Sequence, residues 1–158
     1  MFNFKMLIAS ISKSMSFISI WLHCVWTTNR RIPYLKEGIR EQVVFHILNT
    51  SKRKNIYIDH INGYEEHLHA LISMGGKQNI SDIMQQIKGE SSFWINKYSL
   101  TKIKFRWQDD FYCVSFGMSQ IDRLRDYIRN QTYHHKTVSW QEELEKLETD
   151  YKIIRIRD

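Results

Sequence analysis

The sequence contains little of what marks fibrous, disordered or disulfide-bonded proteins. One proline and six glycines in 158 residues argue against a collagen-like or proline-rich chain. The two cysteines, Cys24 and Cys113, are far apart in apolar, strand-like runs. They form no close-spaced metal pair, and we expect buried, reduced thiols in a cytoplasmic protein. No run reaches the roughly 18 apolar residues of a membrane span, so no membrane partner is expected.

The overall composition is that of a globular protein with a basic net charge. Hydrophobic residues make up 42% of the chain, which predicts one domain over residues 15–158. Residues 1–14 are weakly patterned and are expected to form a flexible N-terminal extension. The net charge of +6 and the aromatic content of 13% suit a nucleic-acid partner, although many basic proteins bind none.

Hydrophobic periodicity divides the chain into alternating strands and helices. β-branched, aromatic and alternating apolar runs predict strands over residues 17–27, 56–61, 66–74 and 111–116. Apolar residues at helical spacing, with N-cap signals at Asn79, Ser119 and Ser139, predict helices over residues 36–51, 79–94, 119–134 and 139–154. Asn62-Gly63 is a strong signal for a hairpin turn between the second and third strands.

The order of these elements predicts the fold class. It reads β-α-β-β-α-β followed by two helices, which is the ferredoxin-like pattern of an α+β domain. We therefore expect an antiparallel sheet with helices on one face and additional C-terminal helices, one of which carries Tyr127. This fold supports many functions and by itself decides none of them.

Two histidines near the start of the third strand form a candidate metal site. Side chains two positions apart on a strand point to the same face. His67 and His69 therefore lie side by side, while Leu68 points to the opposite face. Two neutral imidazoles are suitable ligands for one divalent cation. A short His-x-His also arises by chance and often has a structural role.

A tyrosine and a glutamine on the helix after the fourth strand form a second candidate. Tyr127 and Gln131 are four residues apart, which places them on one helical face about one turn from each other. A phenol and an amide oxygen presented together could supply a nucleophile and a further metal ligand. The same spacing occurs on many helices without any function.

The other histidines have ordinary explanations. His23 lies in the apolar first strand and is expected to be a core residue, while His46 and His60 suggest structural or surface positions. His134 and His135 end the tyrosine helix, where a cation complements the helix dipole. Proximity of these last two to the active site is a less favoured alternative.

The two candidates together, in this fold, resemble a known family. The residues that carry the likeness are WTTNRRIPYL (26–35), EHLHALI (66–72), IMQQIKGESSFWIN (83–96), FRWQDDFYCVSFG (105–117) and YIRNQTYHHKTVSWQEEL (127–144). In order and spacing the sequence resembles the single-tyrosine HUH transposases of insertion sequences, including relatives associated with repetitive extragenic palindromes (REP). The likeness extends over residues 15–144, nearly the whole domain.

The resemblance implies a role for each residue of the two candidates. His67, His69 and Gln131 would bind a divalent metal, Mg²⁺ or Mn²⁺, and Tyr127 would be the nucleophile. Family members commonly carry Asp before the first histidine, where this chain has Glu66. The charge is conserved, so this departure affects only fine positioning.

The resemblance also implies a substrate and an assembly. The family cleaves and rejoins single-stranded DNA with hairpin ends through a 5′-phosphotyrosine intermediate, usually as a homodimer in which the tyrosine helix acts in cis or in trans. A groove that binds single-stranded DNA combines cations, which hold the phosphate backbone, with aromatic rings, on which bases stack. The candidate residues for such a groove are Lys88, Lys97, Lys102, Lys104, Arg106, Trp94 and Trp107. Each lysine taken singly is more often a solvated surface residue.

Two alternatives remain open from the sequence. One is a domesticated REP-associated HUH endonuclease that cuts palindromic repeats without mobilising an element. The other is a non-catalytic ferredoxin-like domain that binds nucleic acid through its sheet. The combination of His67, His69, Tyr127 and Gln131 separates the enzyme from a plain binding domain, which does not need such a set.

Overall fold

The computed structural model describes residues 17–135 and 138–151. The elements are β1 (Trp21–Thr27), α1 (Ile39–Arg53), β2 (Tyr57–Gly63), β3 (His67–Ser73), α2 (Ile80–Lys97), β4 (Tyr112–Phe116), α3 (Ile121–Arg129), α4 (Gln131–His134) and α5 (Trp140–Tyr151). The predicted α+β order is confirmed. The extension expected over residues 1–14 and the end expected for the last helix near residue 154 lie outside the described residues.

The four strands form one antiparallel sheet in the order β2-β3-β1-β4. β1 and β3 occupy the centre, and their register pairs Thr27 with His67 and Val25 with His69. The histidine pair therefore lies on a central strand, next to the strand that contains His23. This order is consistent with the ferredoxin-like arrangement predicted from the sequence.

Helices cover both faces of the sheet, not one. Leu68, Ala70 and Ile72 of β3 belong to the main core together with buried apolar residues of α1 and α2. Strand alternation turns His67, His69 and Leu71 to the other face, where Leu71 packs on α3 and Val25 of β1 packs on α5. The C-terminal helices thus form a third layer, and the two histidines lie under it.

Local signals explain where several elements begin. The side chain of Asn79 accepts hydrogen bonds from the backbone N–H groups of Ser81 and Asp82, as its N-cap role predicts. Ser139 and Glu142 form the reciprocal hydrogen bonds of a capping box at the start of α5, which confirms the N-cap predicted at Ser139. The cap predicted at Ser119 is wrong, because a short 3-10 turn over Met118–Gln120 leads into α3 instead.

The predicted hairpin turn at Asn62-Gly63 is also wrong. Both residues belong to β2, where Asn62 pairs with His69 and Gly63 pairs with Leu68. The connection lies beyond them, and the Tyr64 N–H donates to the His67 carbonyl. The reason is tertiary, because the Asn62 amide donates to the carbonyl of Arg129 at the end of α3, and this contact holds the pair in an extended strand.

Gly63 is required by a close approach of two strands. A Cβ at this position would lie 2.1 Å from the His67 carbonyl oxygen and 2.8 Å from the Leu68 Cα. Both are backbone atoms, so the strands would have to separate to admit a side chain. We expect Gly63→Ala to lower the free energy of unfolding by about 2–3 kcal/mol.

Gly89 is the matched control for that substitution. It lies within α2, and a Cβ there would meet no atom within 4 Å. Gly89→Ala should raise the free energy of unfolding by about 0.5–1 kcal/mol, because alanine favours the helix. Urea unfolding of both variants measures the two changes, and equal effects of the two substitutions would contradict the proposed close approach.

The two cysteines are free but adjacent, which sequence spacing did not indicate. They face each other across β1 and β4 with their Sγ atoms 3.6 Å apart. Cys24 is buried, as expected, whereas Cys113 is half-buried. The hydrogen bond between the thiols, together with burial, raises the pKa of Cys24.

Within residues 17–135 and 138–151, no helix has both the length and the apolar character that crossing a membrane requires.

Candidate active site

His67 and His69 lie together in a buried site between β3 and the C-terminal helices. Both side chains are 0% exposed, and their ring centroids are 5.0 Å apart. The structure therefore places the histidine pair on one face, as strand alternation predicts.

His135 joins this pair from the segment that follows α4. Its ring centroid lies 4.4 Å from that of His67, and its side chain is 2% exposed. The suggestion that His135 simply complements the dipole at a helix end is therefore incomplete. Its imidazole is a third member of the histidine cluster.

Each of the three imidazoles is oriented by a contact at its Nδ1 atom. His67 Nδ1 lies 3.1 Å from a Glu66 carboxylate oxygen, and His135 Nδ1 lies 3.0 Å from the Val138 carbonyl oxygen. Because both oxygens accept, each Nδ1 donates, and in a neutral ring this tautomer leaves the Nε2 lone pair directed to the centre of the site. Such outer contacts orient metal-binding histidines in proteins.

His23 provides the corresponding contact for His69. His23 Nε2 lies 2.9 Å from His69 Nδ1, so one of the two nitrogens donates to the other. His23 is 2% exposed, as expected for a core residue. Burial and the neighbouring His69 hold the pKa of His23 well below its usual value. A neutral His23 that accepts from His69 would direct His69 Nε2 to the centre.

Glu143 of α5 supplies a carboxylate at the centre of the histidine cluster. Its oxygens lie 3.8 Å from His67 Nε2, 3.5 Å from His69 Nε2 and 2.9 Å from His135 Nε2. The pKa of Glu143 is raised to about 7, mainly by burial. The negative charge of Glu66 adds to this increase, and a positive charge on His67 opposes it. A buried carboxylate among imidazoles indicates a place for positive charge.

Tyr127 and Gln131 both contact this carboxylate. The Tyr127 hydroxyl donates to Glu143 Oε1, and the Gln131 amide donates to the same oxygen over 3.3 Å. The helix is broken at Asn130, between α3 and α4, yet the two side chains still reach one point. The structure thus brings all four sequence-predicted residues of the site together within one chain.

These donors fit a divalent metal ion. The ligand atoms of His67, His69, His135 and Glu143 lie within 4.8 Å of one another. A first-row ion about 2.1 Å from each ligand requires separations of no more than about 4.2 Å, which small side-chain rotations would achieve. In addition, Gln131 Oε1 is buried and has no hydrogen-bond donor among the described residues, as expected of an oxygen that binds a cation.

Two of these residues were not assigned to the site from sequence. His135 follows Gln131 by four residues, as Gln131 follows Tyr127, so the repeated helical spacing could have indicated it. Glu143 is one of several acids in a charged helix, and no local pattern distinguishes it. Only the packing of α5 on the sheet brings its side chain to the histidines.

The residues predicted to bind DNA are not members of this cluster. Trp94 stacks on His46 with ring centroids 4.3 Å apart. Trp107 is 5% exposed and donates its indole N–H to Ser91, and Lys88 donates to the carbonyls of Asp109 and Asp110. Lys97, Lys102, Lys104 and Arg106 are exposed at the end of α2 and in the following loop. Their role in DNA binding stays a prediction.

Comparison with solved structures identifies proteins that share this fold. A protein from Deinococcus radiodurans R1 assigned as a transposase has a TM-score of 0.61 and 15% identity, covering 77% of this chain and 98% of that chain. A REP-associated tyrosine transposase bound to a REP hairpin has a TM-score of 0.57 and 21% identity, covering 81% and 76%. At such identities the likeness shows the fold alone.

Comparison with protein families gives the more direct result. No match was found among curated protein sequences. The family model described as "Transposase IS200 like" matches residues 16–131, a segment that contains His67, His69, Tyr127 and Gln131 and ends before His135. Because this match covers most of the chain, including the histidine pair and the tyrosine helix, the protein belongs to the IS200-like transposase family.

Proposed function

We propose that this protein is a transposase that cleaves and rejoins single-stranded DNA at element ends through a covalent 5′-phosphotyrosine bond to Tyr127. The observation that carries the proposal is the hydrogen bond from the Tyr127 hydroxyl to Glu143. This contact places a phenol beside a carboxylate that three imidazoles surround. The proposed nucleophile thus lies next to the proposed cation-binding residues.

The proposed reaction exchanges one phosphoester for another. The Tyr127 oxygen forms a bond to phosphorus, the bond from phosphorus to the 3′-oxygen breaks, and that oxygen leaves as a 3′-hydroxyl after taking up a proton. The phenolic proton leaves on the side of the Glu143 carboxylate. Attack by another 3′-hydroxyl on the phosphotyrosine reverses these steps and joins a new DNA end without ATP.

His67, His69 and Gln131 would hold a divalent cation, and the structure adds His135 and Glu143 as further candidate ligands. When bound, the cation would withdraw charge from a non-bridging phosphate oxygen and so favour attack by an anionic nucleophile. The mixture of imidazoles with oxygen ligands suits Mn²⁺ better than Mg²⁺, which prefers oxygen ligands.

The geometry supports action of the tyrosine in cis. Tyr127, Gln131 and the histidine pair converge within a single chain, so no second subunit is needed to complete the site. We still propose a homodimer as the working assembly, in line with the family resemblance. Single-stranded DNA with a hairpin remains the proposed substrate, and a REP hairpin is the ligand of one protein of the same fold.

That structural neighbour also favours a second candidate function. The protein could be a domesticated endonuclease that cleaves palindromic repeats and no longer mobilises an element. The chemistry at Tyr127 would be the same, and only the DNA flanking the gene would differ. A non-catalytic binding domain is the weaker alternative, because it would not require a buried cluster of three histidines, a carboxylate and a phenol.

The proposed function is tested with the purified protein and a hairpin oligonucleotide that has randomised single-stranded tails. With Mn²⁺ we expect a denaturant-resistant protein–DNA adduct, because phosphotyrosine survives denaturation. Sequencing the attached strand would identify the preferred cleavage site. An excess of EDTA should abolish the adduct and added Mn²⁺ should restore it. Absence of any adduct under all metal conditions would refute the enzymatic proposal.

A further inference from the structure

A cleft of about 400 Å³ opens beside Tyr127 between α3 and α5. Its lining includes His23, Tyr127 and Glu143, and also Arg123 and Lys146. His23 and Glu143 are each 2% exposed, whereas Arg123 and Lys146 are exposed. The cleft therefore leads from a basic rim at the surface to the hydroxyl that we propose as the nucleophile.

Helical spacing aligns the basic rim with the reactive groups. Arg123 precedes Tyr127 by four residues on α3, and Lys146 follows Glu143 by three residues on α5. Residues at these spacings share a helical face about one turn apart, or about 5.4 Å along the axis. Arg123 and Lys146 thus lie one turn along the helix from Tyr127 and Glu143, on the two helices that form the cleft.

The two rim cations differ from the neighbouring arginines in their partners. Arg125 and Arg129 each form an ion pair with an aspartate three residues earlier on α3. Within the described residues, neither Arg123 nor Lys146 forms an ion pair. Asp150 also lines the cleft and offsets only one of the two rim cations, while the Glu143 carboxylate lies at the buried end. An anionic ligand is the complement of such a rim.

We infer that Arg123 and Lys146 bind the phosphodiester next to the scissile one and so position the single strand over Tyr127. The inference rests on the proposed function. The helical turn that separates Arg123 from Tyr127 along α3 is comparable in length to the spacing of successive phosphates along a strand. Phe116 in the cleft wall offers an apolar surface against which a base can pack. Arg123 and Lys146 are positioning residues, because they contact a phosphate that does not react.

The test compares Arg123→Gln and Lys146→Gln with Arg129→Gln. All three remove one positive charge, but the side chain of Arg129 is 57% exposed and lies outside the cleft lining. The probe is a fluorescein-labelled oligodeoxythymidine, and its affinity is measured in EDTA over a series of salt concentrations. Each cleft variant should bind about fivefold more weakly and reduce the salt slope by about 0.7, the value for one released phosphate contact on a single strand. Arg129→Gln should change neither quantity.

A second readout is adduct formation on the hairpin oligonucleotide with Mn²⁺. The cleft variants should raise the DNA concentration for half-maximal rate more than they lower the rate at saturation, and Arg123→Lys should restore the salt slope. Unchanged slopes in both cleft variants, with normal adduct formation by the wild-type protein, would overturn the inference and leave the proposed function intact. Reduced slopes without any wild-type adduct would refute the enzyme and retain the cleft as a strand-binding site.

Discussion

Replacing Tyr127 by phenylalanine should abolish the covalent protein–DNA adduct while leaving the fold and DNA binding intact. The substitution removes only the oxygen that would attack phosphorus and retains the ring, which lies 5.7 Å from that of His69. We expect the rate of adduct formation to fall at least about 1,000-fold, which corresponds to an increase of about 4 kcal/mol in the barrier. Denaturing gel electrophoresis of protein incubated with labelled hairpin DNA measures the rate.

The matched control is Tyr133→Phe. Tyr133 lies on α4, six residues after Tyr127 in the sequence, and its side chain is 73% exposed. This variant should form the adduct at the wild-type rate. If Tyr127→Phe still forms the adduct and Tyr133→Phe does not, the nucleophile has been misassigned. The lost hydrogen bond to Glu143 should cost about 1 kcal/mol, so thermal unfolding must show that the Tyr127 variant is folded.

Replacing His69 by alanine should remove both metal binding and cleavage. His69 is fully buried, and its Nε2 atom faces the Glu143 carboxylate. Loss of this imidazole should weaken Mn²⁺ binding at least about 100-fold, since even outer contacts of metal ligands contribute 10–100-fold. Calorimetric titration with Mn²⁺ measures the affinity without relying on activity, and the adduct assay then tests the consequence for chemistry.

Two further variants separate loss of the ligand from loss of the fold. His69→Asn retains a polar side chain beside His23 and limits the cost of an unpartnered buried group. His60→Ala removes a half-buried histidine of β2 that contacts Asp59 and lies outside the ligand cluster. The His60 variant should bind Mn²⁺ normally. Adduct formation by His69→Ala in excess EDTA would show that the reaction does not need a metal.

The parts of the site that could be predicted from sequence are those governed by short-range geometry. Alternation along a strand puts His67 and His69 on one face whatever the rest of the chain does. Helical spacing similarly relates Tyr127 to Gln131, even though the helix breaks between them at Asn130. The sequence also predicted the α+β order, because apolar periodicity of 2 or 3.6 residues survives in each element.

Two of the errors have a common physical cause in contacts between distant parts of the chain. Asn62-Gly63 has the chemistry of a tight turn, but the Asn62 side chain is held by the carbonyl of Arg129 and Gly63 packs against the β3 backbone. Likewise, helices were expected on one face of the sheet. Leu71 and Val25 instead pack on α3 and α5, which cover the second face.

The sequence by itself determined which residues of each local element can act together: two imidazoles on one strand, and a phenol and an amide on one helical segment. Only the tertiary structure decided that these two sets face each other, and that His135 and Glu143 complete the cluster. The physical reason is that α5 docks through Leu144 and Leu147 onto Val25. This apolar packing, which no short-range pattern encodes, brings the adjacent Glu143 carboxylate among the histidines and against the hydroxyl of Tyr127.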